Sequence, residues 1–406
     1  GGGQTMLNGK MYDKVFDIEV EEGVTLKCGY NFGQNPYSVA HDFIQDNDLP
    51  VDHLDEIARF IDRNANQNVT LGMDAPMTQG ADPFTGANNA MYEAPQASRG
   101  GGTDAAGADK AITFESQQHI PKRTMVFFET PGKAEAIEKK AAEFNEAVGA
   151  SMDDGVSDLK MTDAELATFK AMVGIAFGKD NLARPAPETY ALLADKLLKW
   201  PKAQLFPGLD VLRMLVLNAY AAKYLSGCQG GFNVLVALAG VTAGSAAEVP
   251  APARLMALRL MVNCFRTSDM RAYATQHAQQ LLEAAKGSAS FSNAQVQLAY
   301  GSLLLNMAVH SRDEPSSPIN GWDVVRGVIS GCAEFLHTEA AGAAGNEDAI
   351  FRVLAAVGTI MWEQKDRILL ARELGVATAA EKVSKTHASA KVKECAQQVL
   401  IIFSPR

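Results

Sequence analysis

An apolar block that returns every 46 or 47 residues limits what this chain can fold into more than any other feature. Leu209-Asp210-Val211-Leu212-Arg213 is followed by Leu255-Met256-Ala257-Leu258-Arg259, 46 residues on (259 − 213). Leu303-Leu304-Leu305-Asn306 comes 47 further on (306 − 259), and Ile350-Phe351-Arg352-Val353-Leu354 another 46 (352 − 306). A period in the mid-forties is that of HEAT and armadillo arrays, in which each repeat is two or three helices that bury a face only against neighbouring repeats. The repeated helix is the most apolar of its unit, so it is expected to line the inner, concave side. The stretches between, Ala243-Gly244-Ser245 to Pro252, Ser311 to Gly321 and Gly342 to Asp348, are polar and broken by Gly or Pro, as outer loops are.

The front of the chain has a different rhythm. Val15-Phe16-Asp17-Ile18-Glu19-Val20 alternates apolar and polar, Glu22-Gly23 signals a turn, and Val24, Leu26 and Cys28 alternate again, which predicts a hairpin. Asn35-Pro36-Tyr37-Ser38 has the form of a helix start, and Val39, Phe43 and Ile44 share one helical face. Leu49-Pro50 ends that helix, and Leu54, Ile57, Ala58 and Ile61 outline a second. The expected fold is therefore a small α+β module over residues 8–66, followed by an all-α armadillo/HEAT-like solenoid over 119–406. Between them, 67–118 holds Asp82-Pro83-Phe84-Thr85-Gly86 and Ser98-Arg99-Gly100-Gly101-Gly102, offers little to bury, and is read as a flexible linker.

Several function classes are disfavoured. A net charge of −10 does not suit a protein that coats nucleic acid or anionic membrane. Cys28, Cys228, Cys264, Cys332 and Cys395 are dispersed, with no CxxC, and read as reduced thiols of a cytoplasmic and nuclear protein. No signal-peptide pattern opens the chain and no apolar run reaches membrane-span length. Neither phosphate-cradling loops nor paired metal-ligand spacings occur, so no cofactor or metal is expected. Gly227-Cys228-Gln229-Gly230-Gly231 resembles a nucleophile turn but lacks a His or Asp context, so a hydrolase built on Cys228 or Cys264 is the weakest alternative. His310 reads as a helix-end residue.

Polar residues on the apolar helices carry the most information. An unpaired buried charge costs several kcal/mol. Arg213, Arg259 and Arg352 must therefore either be paired to internal acids such as Asp210 or face a solvated groove. In the second case, equivalent positions of a solenoid line up as a basic stripe, with Asn306 completing the row. Such a stripe suits an extended acidic peptide or a terminal carboxylate, which guanidinium holds bidentately. Asn306 in mid-helix suits an amide clamping a peptide backbone, or else a satisfied core residue. Lys382, Lys385, Lys391 and Lys393 form a second basic cluster, read as solvated surface. Phe43 and Phe60, the prominent aromatics of the small module, belong either to its core or to a docking patch.

Two sets of motifs resemble known families. Tyr12-Asp13-Lys14-Val15-Phe16-Asp17-Ile18, Gly33-Gln34-Asn35-Pro36-Tyr37, Phe43-Ile44-Gln45-Asp46-Asn47-Asp48-Leu49-Pro50 and Phe60-Ile61 resemble the PFU domain, the family ubiquitin-binding domain of the phospholipase A-2-activating protein/Doa-Ufd-Lub family. Ile120-Pro121-Lys122-Arg123, Trp200-Pro201, Leu205-Phe206-Pro207-Gly208-Leu209, Ala257-Leu258-Arg259 with Asn263-Cys264-Phe265, and Phe351-Arg352 through Gly358-Thr359 resemble the PUL domain of the same family. Order and spacing match over nearly the whole chain. The resemblance implies a non-enzymatic, monomeric adaptor that binds ubiquitin and polyubiquitin. It also implies that the adaptor grips the acidic C-terminal tail of the hexameric AAA segregase, valosin-containing protein, in a basic concave groove. Carried over by motif, the groove arginines are Arg213 and Arg352, joined by Arg259 and Asn306 from the repeat, and the ubiquitin-binding positions are Phe43 and Phe60. Members of the family carry an N-terminal WD-repeat propeller, which this sequence does not contain. The alternative is a karyopherin-like repeat scaffold that binds another acidic linear motif and has no ubiquitin role.

Overall fold

Alternating side chains at the front of the chain sort onto two faces of a hairpin. The structure, a computed structural model, describes residues 5–7, 10–21, 24–31, 39–40, 43–44, 47, 57–58, 60–61, 119–178, 183–227, 249–338, 341–342 and 345–404. The chain divides into two units, Gly1–Thr78 and Gln79–Arg406. In the first, β1 (Thr5–Leu7) pairs antiparallel with β2 (Lys10–Tyr12), and β3 (Lys14–Glu21) with β4 (Val24–Tyr30). Phe16 lies opposite Cys28 and Ile18 opposite Leu26. Phe16, Ile18, Cys28 and Tyr30 point into one core with Ala40, Phe43, Ile44, Ile57, Ala58 and Ile61. Asp17 and Lys27 pair at 2.8 Å on the outer face, where an ion pair contributes little. Residues 39–40, 43–44, 57–58 and 60–61 are helical, within both predicted helices. The short β1–β2 ribbon has no counterpart in the sequence reading, because three-residue strands are too short to show an alternation. The predicted helix start at 35–38 and the predicted linker at 67–118 lie outside the described residues.

The second unit is helical. Among the described residues it contains α1 (Ala134–Gly149), α2 (Asp163–Phe177), α3 (Pro187–Asp195), α4 (Phe206–Leu215), α5 (Ala219–Ser226), α6 (Ala251–Asn263) and α7 (Ser268–Gln276). After them come α8 (Ala278–Ala285), α9 (Ala294–Asp313), α10 (Trp322–His337), α11 (Glu347–Met361), α12 (Lys365–Glu373), α13 (Val376–Thr386) and α14 (Ala390–Phe403). Caps start many of these where the sequence places a short polar side chain. Thr162 and Glu165 close a reciprocal capping box on α2, and Asn218, Asn293, Asn346 and Ser389 accept from first-turn amides of α5, α9, α11 and α14.

The repeated blocks fall on α4, α6, α9 and α11, and these pack side by side in that order, with α14 completing the row. All ten residues of α4 are buried, as is every residue of α6 from Ala253 to Asn263. A helix covered all round needs an apolar surface all round, which is why these blocks stand out from their amphipathic neighbours. Gly301 lets α9 approach α11 closely, since a Cβ there would lie 3.1 Å from the Ala349 carbonyl oxygen. A second row lies behind the first, with α5 against α7, α8 against α10, and α10 against α12 and α13. This two-row stacking of helical pairs is an armadillo-like solenoid, as the period predicts.

Candidate functional site

A solenoid whose inner helices carry Asn, Thr, Gln and Arg among aliphatic residues has polar groups to satisfy. This one satisfies them with its own chain. Residues 119–130, which form neither helix nor strand, cross the inner row from α14 to α4. Gln398 of α14 accepts from the backbone N–H of His119 at 2.9 Å and of Ile120 at 3.3 Å. Thr359 of α11 accepts from Lys122 N–H at 2.8 Å. The Asn306 amide of α9 takes both sides of Val126, accepting from its N–H and donating to its carbonyl, each at 2.8 Å. Asn263 of α6 does the same to Phe128, at 2.8 and 3.0 Å. Arg213 of α4 donates to the carbonyls of Phe128 at 2.9 Å and Thr130 at 3.3 Å. Five packed helices at roughly 8–10 Å spacing are thus bridged by twelve residues, so the segment runs near its full reach of ~3.3–3.6 Å per residue. Asn306 and Asn263 hold the backbone of two residues that lie two apart, Val126 and Phe128, as a neighbouring strand would. Ile120, 2% exposed, is the one fully buried strap side chain, and it lies where a Cβ on Gly358 would come within 2.7 Å of its Cδ1.

The sequence-predicted groove residues are all on the inner row, but the open basic stripe is not what the structure shows. Arg213 is 1% exposed and its Nε donates to Asp210 at 2.6 Å, the internal pairing rather than the solvated one. Its two remaining nitrogens serve the strap and the Met214 sulfur. Asn306 clamps a peptide backbone as its mid-helix position suggests, and the peptide belongs to the same chain. Arg259 stacks 5.1 Å above the Phe128 ring and donates to Gln295 at 3.4 Å. Arg352 donates to the Ser302 hydroxyl, and burial lowers its pKa to about 10, with Asp348 pulling the other way.

Asn263, Thr359 and Gln398 form part of the ladder and were not selected from sequence as site residues. The fixed period aligns Arg259 with Asn306, whereas the structure aligns Asn263 with Asn306. Asn263 lies one helical turn beyond Arg259 on the same face, so a search for Asn within four residues of each block would have found it.

Cations gather where the strap begins. Lys122 lies 5.0 Å and Lys391 4.4 Å from the centre of the Phe351 ring, and the His119 ring meets Phe351 edge-on at 5.4 Å. Burial lowers the pKa of Lys122, and the Lys391 charge adds to the effect. Burial likewise lowers His119, whose Nε2 lies 3.3 Å from Glu394. At the other end Arg266 pairs with Glu129 at 2.6 Å and covers the Phe127 ring at 5.6 Å. Of the C-terminal lysines, Lys391 pairs with Asp348 at 3.7 Å and Lys385 with Glu381 at 2.5 Å.

In the small module the two aromatics part company. Phe43 is 5% exposed and belongs to the core, whereas Phe60 is 37% exposed and rests one edge on Phe16, with ring centres 5.9 Å apart. No group of three His, Cys, Asp or Glu that could hold a metal occurs among the described residues. Cys264 is buried and its thiol is pushed up to about 12, which removes it as a nucleophile at neutral pH. Cys228 lies outside the described residues. No helix among the described residues is long and apolar enough to cross a membrane.

Comparison with known proteins matches residues 120–398 to the PUL domain and residues 1–69 to the PFU domain, described as PLAA family ubiquitin binding. The chain is 27% identical over 424 residues to Phospholipase A-2-activating protein of Xenopus laevis, covering 98% of this chain and 50% of that protein. It is 43% identical over 60 residues to Ubiquitin homeostasis protein lub1 of Schizosaccharomyces pombe, covering 14% of this chain and 8% of that one. A crystal structure of a PUL and PFU domain is similar to it with a TM-score of 0.46 and 16% identity, covering 97% of this chain and 99% of the other. The chain spans about half the length of the Xenopus relative.

Proposed function

The chain belongs to the PUL-domain family, with a PFU domain ahead of its PUL region, and from that premise we propose that it is a ubiquitin-binding adaptor of the cytoplasm and nucleus. In this reading it links ubiquitinated cargo to the hexameric AAA segregase, valosin-containing protein, by holding that partner's acidic C-terminal tail, and it serves ubiquitin-dependent turnover and sorting. It has no catalytic step of its own. The observation that carries the reading is the row of cations along the strap-lined inner face of a chain with net charge −10: Lys122 and Lys391 around Phe351, Arg259 on Phe128, Arg352 on Ser302 and Arg266 at the far end, with Asp348 and Glu129 offsetting Lys391 and Arg266. Arg352 is assigned to the tail, and so is Arg259, which at 3% exposure acts through the Phe128 ring it stacks on. Arg213 and Asn306 act through the strap, whose backbone they fix, and so position the surface the tail meets. On the small module, Phe60 is the ubiquitin contact and Phe43 supports it from the core.

Calorimetry of the full chain with a peptide of the acidic tail tests this directly. Arg352→Ala combined with Arg259→Ala should weaken binding about tenfold or more, and added salt should weaken the wild-type contact, because charge pairs in a partly solvated groove are screened. Unchanged affinity in that double variant would remove the groove assignment. Ubiquitin titrated into the labelled chain should shift resonances around Phe60. A second reading draws on the Asn263–Asn306 ladder, a backbone-reading device that suits a karyopherin-like scaffold for another acidic motif. Acidic-peptide binding without any ubiquitin shifts would select it.

A further inference from the structure

Two Asn side chains, each making a two-way bond to one residue of an extended segment, and those residues two apart, recognise backbone rather than side chain. Gln398, Thr359 and Arg213 extend the same recognition to both ends. Only Ile120 of the twelve strap residues is fully buried; the remainder are half-buried or exposed. Met125, Val126, Phe127 and Phe128 rest half-buried against the helical core while the polar side chains of the groove hold the backbone, which is how an extended peptide ligand is seated in a groove. It is joined to the first helix by Pro131-Gly132-Lys133 alone, and on its other side by the Gly-rich stretch around Gly100-Gly101-Gly102. We propose that the concave ladder is a receptor for an extended polypeptide strand, that residues 119–130 are its tethered ligand, and that a second strand carrying the same pattern can replace it. That pattern is an aliphatic anchor at the position of Ile120, with Val126 and Phe128 seated six and eight residues on. The resident strap owes its occupancy to its tether, since a short link supplies a high effective concentration. The proposal does not depend on ubiquitin or on an acidic tail.

The test starts from the full chain with a protease site built at Pro131-Gly132. After cleavage the strap stays on the N-terminal fragment and the helices on the other. The two fragments should co-elute at micromolar concentration with helicity unchanged. An excess of a synthetic peptide of residues 117–132 should then displace the N-terminal fragment. Val126→Pro, which deletes the N–H that Asn306 accepts, and Ile120→Asp, which spoils the anchor, should each weaken the pairing about tenfold or more. Thr124→Ala, at an exposed strap position, should leave it unchanged. Both weakening variants lie on the ligand fragment, so they leave the folding of the helical fragment alone. Separation of the fragments on cleavage would overturn the proposal, as would co-elution indifferent to both strap variants. Loss of helicity on displacement would also overturn it, by showing the strap to be a part of the fold.

Discussion

The small module and the helical groove solve opposite problems with their functional side chains. The module has few residues with which to cover anything, so an aromatic ring, Phe60, is left with one face in water while Phe43 fills the core. The groove has polar groups to spare, and its own chain covers them, so Arg213 and Asn306 are almost wholly buried. Small domains leave apolar surface exposed because surface outgrows volume. A concave wall of Asn, Thr and Arg stays buried only if something supplies backbone partners. The first site is therefore defined by what the fold cannot bury, and the second by what the chain lays over it.

The largest effect that separates the two aromatics is on stability. Phe43→Ala should cost about 3–5 kcal/mol, enough to unfold so small a module. Phe60→Ala should cost only about 1 kcal/mol while weakening ubiquitin binding. Denaturant unfolding followed at the module's own resonances checks both, and equal costs would erase the distinction. On the groove side, Asp210→Ala leaves the Arg213 guanidinium buried without its carboxylate and should destabilise the helical unit by about 3 kcal/mol or more. The double change Asp210→Leu with Arg213→Met should recover most of that loss in thermal melts. Asn306→Ala removes both bonds to Val126 and should cost about 2 kcal/mol, with hydrogen exchange accelerated at Val126 and Phe128 before any other part of the unit. A uniform acceleration would mean that strap and helices open together.

The smallest effect is with pH. Burial holds the pKa of His119 below its ordinary value, aided by Lys122 and Lys391 and opposed by Glu394. The unfolded chain therefore binds the proton more readily than the folded one. The associated stability is present above the unfolded value of about 6.5 and is lost as pH falls through the folded one. His310, lowered by burial and by Arg271 against Glu314, acts in the same sense. His119→Gln should flatten the acid limb of the stability curve, and a curve left unchanged would place no titration at the strap's entry.

Much of this was legible residue by residue. The four apolar blocks mark four of the five inner helices among the described residues, since a helix packed on all sides must be apolar on all sides, and that demand is written into composition. The alternation at 15–20 and 24–28 points to the β3–β4 hairpin and to Phe16, Ile18 and Cys28 as its inward face, because successive strand side chains face opposite ways, up to the register shift between Glu19 and Glu21. Arg213, Arg259, Asn306 and Arg352 stand out because polar groups in apolar stretches need partners. Which partner each one has was not legible. Asp210, three residues from Arg213, is a local candidate, whereas the Val126 backbone is 180 residues from Asn306 and leaves no trace in the sequence around it.

By itself, then, the sequence determined the repeating helices, the hairpin module and the list of polar residues that had to be satisfied, because periodicity and desolvation act on nearby residues. The tertiary structure alone decided that the groove is lined with the chain's own backbone, which register Asn263 shares with Asn306, and that Phe60 rather than Phe43 meets water. Those outcomes depend on which distant segment arrives at a surface, and backbone amides are the same for every residue that could have arrived.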